Sequence, residues 1–475
     1  MIRSILELLS LNVIANIILI ASLPLLSGLY TPDIFGRFAL LASIIAVLTP
    51  IICLRYDLAI PLGAAGQQSS ELFGLSIWIC AGSTLIVALL STIAHSGNYF
   101  SDGSYSYSFI EVMLVPVIVM LAGILSAASY FLIAQSNFQQ LGRAKVLGAI
   151  SLVAIQLFGS AFGVLGLLSS MFLSTILQLF YLFKDTSFRS KVFVRLVDFH
   201  RLKDVGKKYL DYPKMSAPAS LINMLCSFIP LWFVTYHFGA VWAGIFAITS
   251  KLVLGPFDVL NKTLYDVLYG RIAKIQCETR RGEIASSFVK FVKILVLPIF
   301  IGIILLCLPL YEYFFDEKWY DGAALLSILL LIACSGLLVL PISGPLIQIQ
   351  RAQFKSLQFQ IILFAFRLTG LVVGYLLAED IVSSLLGFAL GTILAHGYLT
   401  YWVYSVIETG HKRFSQLLQY FAIVTVMCLI TFVDAITELS FNSWEAIVIY
   451  ILFLVAYSYR FGSRISVLLG ELKVA

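Results

Sequence analysis

The stretch that decides the fold runs from Leu225 to Lys274 and reads LCSFIPLWFVTYHFGAVWAGIFAITSKLVLGPFDVLNKTLYDVLYGRIAK. It has the pattern of the end of one membrane helix, a short outer turn and a second membrane helix. The second helix carries Lys251 in a mostly apolar run that reads GIFAITSKLVLG. Because an ionisable side chain is costly at that depth, Lys251 is expected to face a polar cavity or a partner instead of lipid.

A similar frame occurs near the N-terminus, where residues 23–50 read LPLLSGLYTPDIFGRFALLASIIAVLTP. When GRFA at residues 36–39 is aligned with GIFA at residues 244–247, both segments have a helix, a tyrosine, a short turn and a second helix at matching positions. An offset of roughly 200 residues is too long for a solenoid repeat. It predicts two duplicated helical bundles, an arrangement that is common among transporters with a site between the repeats.

The composition indicates a membrane protein: 60% of the residues are hydrophobic, 12% are charged and the mean hydropathy is +0.98. The net charge of +6 would suggest nucleic acid for a soluble chain, but an excess of basic residues on the cytoplasmic side explains it here, so no nucleic-acid partner is expected. The N-terminus is predicted to be a retained first span. The seven scattered cysteines are predicted to be buried thiols.

Apolar runs predict an all-α polytopic membrane protein with about fourteen spans, arranged as two pseudo-repeated six-helix lobes and two further C-terminal helices. The predicted domains are an N-terminal lobe at 1–184, a basic cytoplasmic linker at 185–214, a C-terminal lobe at 215–403, and two helices with a tail at 404–475. The predicted spans are 9–30, 35–54, 71–92, 110–133, 146–164, 166–184, 215–237, 241–261, 290–311, 322–343, 357–377, 382–403, 416–434 and 445–460.

The basic residues orient these spans. With both termini in the cytoplasm, only Arg37 and Lys318 of the 31 Lys and Arg residues fall in outer loops. The linker at 185–214 is interpreted as a topogenic segment that contacts anionic headgroups, or as a docking site for a regulator. The outer loops at 93–109 and 311–321 are rich in aromatic residues, which fits an interfacial aromatic belt or contact with sugars.

Enzymatic motifs are missing from the sequence. It contains no GxxxxGK[ST], no HExxH and no GxSxG, and its five histidines are far apart and mostly near predicted interfaces. An ATPase is therefore excluded, and no cofactor or metal is expected. An intramembrane enzyme built from isolated polar residues stays open.

Polar groups in apolar context are the candidates for a binding site. Lys251 is the clearest, either as a substrate contact or as a structural lysine, and Arg367 offers a planar guanidinium suited to a diphosphate. Asp258 and Lys262 follow Lys251 at spacings of 7 and 4, so the three share one helical face. That face would line a vestibule or form a row of mutually neutralising salt bridges.

Two further polar pairs lie nearer the N-terminus. Asn12 and Asn16 are one helical turn apart in the first span, where they would line the cavity or hold helices together. Arg55 and Asp57, in LRYDLAIPL, are expected to form a local ion pair at the inner mouth of the second span.

Several of these segments together resemble a known family. LYTPDIFGRFALLASI at 29–44 and LRYDLAIPL at 54–62 resemble the first two helices of bacterial oligosaccharide flippases, the polysaccharide-biosynthesis branch of the multidrug/oligosaccharidyl-lipid/polysaccharide exporter superfamily. Residues 212–260 are similar to that family's seventh and eighth helices, and Lys251 stands where the family commonly has Arg or Lys. FDEKWYDGAALL at 315–326 resembles its aromatic turn before helix ten.

The resemblance implies two lobes around a V-shaped cavity and alternating access that carries an undecaprenyl-diphosphate-linked oligosaccharide from the inner to the outer leaflet of the bacterial cytoplasmic membrane. The expected partners are this lipid-linked oligosaccharide, membrane lipids, and the polysaccharide polymerase and chain-length machinery. Three alternatives stay open: a small-molecule antiporter of the related multidrug branch, below it a membrane enzyme acting on lipid-linked sugars, and a structural scaffold, which would leave Lys251 and Arg367 unexplained.

Overall fold

The computed structural model divides the chain into two compact units, Met1–Gly244 and Ile245–Ala475. The described residues are 2–62, 67–97, 101–102, 105–135, 137–184, 199–272, 275, 277–320, 322–350, 352–407, 415 and 417–426. The domain boundaries predicted from the sequence stay a prediction.

The first unit is built from helices that pack mainly against their neighbours in the chain. Its elements are α1 (Ile2–Ala21), α2 (Leu23–Leu29), α3 (Pro32–Leu48), a 3-10 turn (Tyr56–Leu62), α4 (Gln67–Ser96), the two-residue strands β1 (Ser101–Asp102) and β2 (Tyr105–Ser106), α5 (Phe109–Ala134), α6 (Phe138–Phe158), a 3-10 turn (Ser160–Phe162), α7 (Gly163–Phe183), α8 (Phe199–Lys208), a π-helical turn (Tyr212–Ser216) and the first part of α9 (Ala217–Ile272).

The second unit continues α9 and adds the remaining described helices. They are α10 (Glu278–Phe314), a 3-10 turn (Glu317–Trp319), α11 (Gly322–Leu337), α12 (Leu340–Ile349), α13 (Gln353–Ala378), α14 (Ile381–Ile407) and α15 (Leu417–Val426). Within the described residues, ten helical segments are long and apolar enough to cross a membrane. The predicted all-α, polytopic fold is confirmed, and the predicted span at 445–460 lies outside the described residues.

Helix α9 contains both membrane helices of the stretch at 225–274. Its 56 residues would extend about 84 Å if straight, far more than one bilayer crossing requires. Gly239 interrupts it with φ 83° and ψ 179°, a conformation that a residue with a Cβ rarely adopts. The chain therefore ends one helix before Gly239 and begins a second one after it, as the sequence predicts.

The helix starts of the first unit are fixed by local side chains. Thr31 precedes α3 and its hydroxyl accepts from the backbone N–H of Ile34, while Asp33 and Arg37 form an ion pair one turn apart. At α5, Ser108 and Glu111 form a reciprocal capping box.

Helix α8 was not predicted, because the linker at 185–214 is too polar to look like a span. Leu202 and Val205 are buried, and the helix packs against α4. The Tyr56 hydroxyl donates to the carbonyl of Gly206 at 3.0 Å, and Lys208 Nζ donates to Gln68 Oε1 at 3.3 Å. Half of the predicted linker is thus part of the first unit, and residues 185–198 lie outside the described residues.

Helices α13 and α14 approach each other closely through glycines. A Cβ on Gly370 or Gly387 would overlap the other's carbonyl group, and a Cβ on Gly391 would overlap the carbonyl of Phe366. Backbone-to-backbone packing of small residues is a common way to join membrane helices. The crossing sets the position of Arg367, one residue after Phe366.

Candidate functional site

Lys251, Asp258 and Lys262 lie on one face of the second part of α9, and all three side chains are exposed. The row extends about 16 Å along the helix axis. The opposite face is packed: Thr249, Val253 and Phe257 are buried. The second unit therefore covers one side of this helix and leaves the charged side open.

Two buried hydroxyl groups, of Thr249 and Tyr311, support the turn of α9 that carries Lys251, on the side opposite to the lysine. Thr249 Oγ1 donates to the carbonyl of Ile245 at 2.8 Å and lies 3.4 Å from the Tyr311 hydroxyl, which donates to the carbonyl of Trp319 at 3.1 Å. Gly322 packs into the same place, and a Cβ there would overlap the Tyr311 hydroxyl. These contacts fix the orientation of Lys251 relative to α10 and α11.

The aromatic turn at 311–321 belongs largely to the core of the second unit. Tyr311, Phe315 and Trp319 are all buried, with Trp319 at 0% exposure. Among the described aromatic side chains of this turn, Tyr313 and Tyr320 are exposed in the way that an interfacial belt requires. The belt interpretation is therefore wrong for the three buried rings, because this turn folds back under α9.

Two tyrosines continue the open face of α9 beyond Lys262. The rings of Tyr265 and Tyr269 stack with centroids 5.8 Å apart and an interplanar angle of 18°. Tyr265 packs on Gly344 of α12, where a Cβ would lie 2.6 Å from its ring. The sequence analysis did not single out this pair, although tyrosines spaced four apart on a polar helix face could have indicated it.

Arg367 occupies a polar spot at the crossing of α13 and α14. Its Nε donates to the hydroxyl of Thr392 at 3.0 Å, and its guanidinium carbon lies 4.9 Å from the ring centroid of Phe388. Thr392 is buried and also donates to the carbonyl of Phe388 at 2.8 Å. The hydrogen bond to Thr392 and the cation–π contact with Phe388 thus help to hold the guanidinium in place.

His396 follows Thr392 by one turn of α14 and is 3% exposed. Its Nδ1 lies 2.9 Å from Ser335 Oγ on α11, and its ring stacks on Phe359 of α13. The expectation that the histidines lie mostly near interfaces is therefore wrong for this residue. A lone histidine within an apolar run carries no sequence signal that reveals a partner on a distant helix.

The remaining predicted residues lie in the first unit. Asn16 Nδ2 donates to the backbone carbonyl of Asn12 at 2.9 Å, so that amide bonds to its own helix. Arg55 and Asp57 form no ion pair; the Asp57 carboxylate instead accepts from Ser126 at 2.7 Å. The expected local pair is therefore wrong: Leu54 and Arg55 adopt left-handed backbone conformations, and the Asp57 carboxylate bonds to α5.

No cluster of three or more His, Cys, Asp or Glu side chains able to hold a metal occurs in the part of the chain that the structure describes. The open face of α9 offers two ammonium groups, one carboxylate and two aromatic rings. These groups suit a ligand with an anionic part and a polar, ring-shaped part.

Comparison with known proteins gives a family for most of the chain. A family model described as "Polysaccharide biosynthesis protein" matches residues 25–324, which include Lys251, Asp258 and Lys262. Arg367, Asn12 and Asn16 lie outside the match. No curated protein matches the chain in sequence.

Solved structures share the fold at low sequence identity. The chain is similar to the lipid II flippase MurJ in an inward closed conformation, with a TM-score of 0.70, 13% identity, and coverage of 98% of this chain and 100% of that one. It is also similar to an inward-facing multidrug resistance MATE transporter of the MOP superfamily (TM-score 0.56, 16% identity, 84% and 94% coverage). A MOP superfamily transporter from Pyrococcus furiosus gives a TM-score of 0.51 at 16% identity, with 86% and 95% coverage.

Proposed function

Because the chain belongs to the family of polysaccharide biosynthesis proteins, we propose that it is a flippase for lipid-linked sugars and not an enzyme. The substrate is an undecaprenyl-diphosphate-linked oligosaccharide repeat unit, moved from the inner to the outer leaflet of the bacterial cytoplasmic membrane. The product serves O-antigen, capsule or exopolysaccharide synthesis. Both termini are cytoplasmic, and the polysaccharide polymerase and chain-length machinery act on the product.

The observation that carries this proposal is the exposed Lys251 on the open face of α9. An ammonium group on the exposed face of a membrane helix can bind a diphosphate through charge-assisted hydrogen bonds. Lys262 offers a second cation about three turns nearer the end of the helix. Asp258 and the stacked Tyr265 and Tyr269 supply polar and aromatic contacts for sugar rings.

Arg367 has a supporting role in this mechanism. Its guanidinium is already positioned by Thr392 and Phe388, so it adds a fixed positive charge with little loss of side-chain freedom on binding. Asn12 and Asn16 are further candidates for polar contacts with the substrate.

The proposed mechanism lowers the energetic barrier to moving a polar headgroup across the bilayer. Moving a diphosphate and several sugar hydroxyls through hydrocarbon would leave polar groups without partners at a cost of several kcal/mol each, roughly 2–7 kcal/mol for a hydroxyl. A cationic, hydrated path removes most of that cost, while the lipid tail stays in the bilayer. Alternating access then exposes the path to one leaflet at a time.

The names of the structural neighbours indicate two classes of substrate: a lipid for the lipid II flippase MurJ, and drugs for the multidrug resistance MATE transporter. The charged groups of this chain favour the lipid-linked substrate. Carriers of cationic drugs need acids in the cavity, whereas Lys251, Lys262 and Arg367 are basic.

The test replaces Lys251 with Ala and, separately, with Arg in cells that lack the native protein. Surface polysaccharide, lipid-linked repeat units and the amount of protein in the membrane are measured together. We expect Lys251→Ala to abolish surface polysaccharide and accumulate the lipid-linked unit, Lys251→Arg to retain function, and the control Lys290→Ala, at an exposed lysine of α10, to behave as wild type. Normal polysaccharide with Lys251→Ala would remove the role of Lys251. If deletion of the whole protein caused no accumulation, the antiporter would become the better assignment.

A further inference from the structure

Helix α8 lies at the edge of the membrane-spanning part of the first unit. Lys208 Nζ donates to Gln68, which is the first residue of the apolar segment of α4. The next apolar segment begins at Tyr212, four residues after α8 ends. Because two apolar segments begin beside it, α8 lies where the hydrocarbon region ends, at the level of the lipid headgroups.

The two faces of α8 differ in charge. Leu202, Val205 and Gly206 are buried, and the helix packs against α4 on that side. The exposed face carries Lys203 and Lys207, which are four residues apart and therefore project from the same side of the helix. The buried residues fix the rotation of the helix about its axis, so both ammonium groups stay directed outward.

The exposed surface continues into the turn that joins α8 to α9. Lys214 in this turn is exposed, and so are two apolar side chains, Leu210 at 39% and Met215 at 71%. Basic residues beside exposed apolar residues, at the end of a membrane span, are typical of a surface that contacts headgroup phosphates and buries its apolar side chains at the boundary of the acyl chains.

The charge of this surface favours an anionic partner. Residues 201–216 contain five basic side chains and two acidic ones, Asp204 and Asp211, which gives a net charge of +3. Among the described residues, Lys203, Lys207 and Lys214 have no hydrogen-bond or ion-pair partner, so their ammonium groups can bind a ligand. Lysine is a compact, strongly charged group that binds phosphate as a point charge.

We propose that α8 and the turn that follows it bind an anionic phospholipid. The headgroup phosphate contacts Lys203, Lys207 and Lys214, and the acyl chains lie beside Leu210 and Met215. An acidic protein would also match the charge, but the exposed apolar side chains and the adjoining membrane spans favour a lipid.

The bound lipid would attach α8 to the bilayer surface at the point where the chain enters α9. The site belongs to the first unit and is built from residues that the proposed translocation mechanism does not use. Lipid binding at α8 is therefore a further function, independent of the substrate that the protein carries.

The test measures amide hydrogen exchange of residues 199–216 in the full-length protein. The protein is reconstituted in phosphatidylcholine bilayers, to which phosphatidylglycerol is added in steps up to an equimolar mixture. We expect exchange in this segment to slow as phosphatidylglycerol is added, and the protection to weaken as the salt concentration is raised, because the lysines are exposed to solvent.

The double variant Lys203→Gln/Lys207→Gln should weaken lipid binding about 30-fold, or about fivefold for each lysine. Lys203→Arg/Lys207→Arg keeps both charges and should retain the protection. The matched control, Lys290→Gln/Lys318→Gln, removes two exposed lysines of the second unit and should behave as wild type. If the first double variant does not fold, Lys214→Gln supplies the same comparison with one lysine.

Two results would overturn the proposal. Equal loss of protection in the α8 variant and in the control would show that the lipid responds to net charge and not to this surface. Protection by added polyglutamate, with none from phosphatidylglycerol, would assign the surface to an acidic protein. Since no transported substrate is used, failure here leaves the flippase assignment intact, and failure of the Lys251 test leaves this proposal intact.

Discussion

Gly36 of α3 and Gly244 of α9 lie against each other with no side chain between them. A Cβ on Gly36 would overlap the carbonyl oxygen of Ala240, and a Cβ on Gly244 would overlap that of Pro32. The alignment of GRFA with GIFA pairs Gly36 with Gly244, and by the same offset it pairs Pro32 with Ala240. Equivalent residues of the two repeats therefore make reciprocal contacts, so a local two-fold relation connects the starts of these helices.

This contact predicts that neither glycine tolerates a methyl group. Gly36→Ala and Gly244→Ala should each lower the free energy of unfolding by about 1–3 kcal/mol, since the backbones must separate. Gly82→Ala in α4 is the matched control, because nothing lies within 4 Å of its Cβ, and it should be neutral or stabilising by up to about 1 kcal/mol. Denaturant unfolding in detergent measures all three. Equal stability of Gly36→Ala and Gly82→Ala would contradict the close contact.

The burial of Trp319 predicts a large effect for a residue that the sequence places in an outer loop. Trp319→Ala should cost about 3–5 kcal/mol of stability, because it leaves a cavity where a fully buried ring packs in the second unit. Tyr313→Ala, six residues away and 79% exposed, should change stability by no more than about 0.5 kcal/mol. Thermal unfolding of the two variants compares them directly, and similar melting temperatures would place Trp319 in an interfacial belt after all.

The hydrogen bond between Arg367 and Thr392 predicts that mutations of these two residues have non-additive effects on stability. In a double-mutant cycle of Arg367→Ala and Thr392→Val, the interaction free energy should be about 1.5–3 kcal/mol, because the bond involves a charged donor. Arg367→Lys should resemble Arg367→Ala in this cycle, since an ammonium group cannot reproduce the planar contact with Phe388. Additive effects of the two mutations would show that the guanidinium is held elsewhere.

Asp380 predicts a dependence of stability on pH. It precedes α14, and the backbone N–H of Ser383 donates to its Oδ1 at 2.8 Å, which holds the pKa of Asp380 below its usual range. Because the pKa is lower in the folded state than the unfolded value of about 3.9, this cap stabilises the protein above that pH and is lost as the pH falls through the folded pKa.

Asp380→Ala should therefore cost about 1 kcal/mol at neutral pH and less in acid. Asp380→Asn keeps an acceptor that does not titrate, so it should show no such acid-dependent loss. Unfolding midpoints from neutral pH down to about pH 3 separate the three proteins. An identical acid-dependent loss in all of them would assign the effect to other carboxylates.

The sequence predicted most of the fold because a bilayer imposes span length. Predicted boundaries for the helix that contains Arg367, at 357–377, lie within α13 at Gln353–Ala378. The sequence did not predict contacts between helices. The burial of His396 against Ser335, and the burial of Trp319, depend on residues that are close in space but distant in sequence. The left-handed Leu54 and Arg55 also lack a signal, since such positions are usually glycine or asparagine.

The contact between α13 and α14 could have been predicted from the sequence. Gly370 and Gly374 on α13, and Gly387 and Gly391 on α14, have the four-residue spacing that marks close helix pairs in membranes. Reading that spacing would have joined the two helices and located Arg367 at their crossing.

Helix α8 bears on the order in which the protein is assembled during synthesis. The hydrogen-bond partners of Gly206 and Lys208, which are Tyr56 and Gln68, precede α8 in the chain, as does α4, against which it packs. The ribosome has therefore delivered every one of these partners by the time α8 emerges, and N-terminal segments generally fold first. The first unit can therefore begin to pack around α8 before the helix that carries Lys251 has been translated, so an error in α8 would be exposed before the second unit exists.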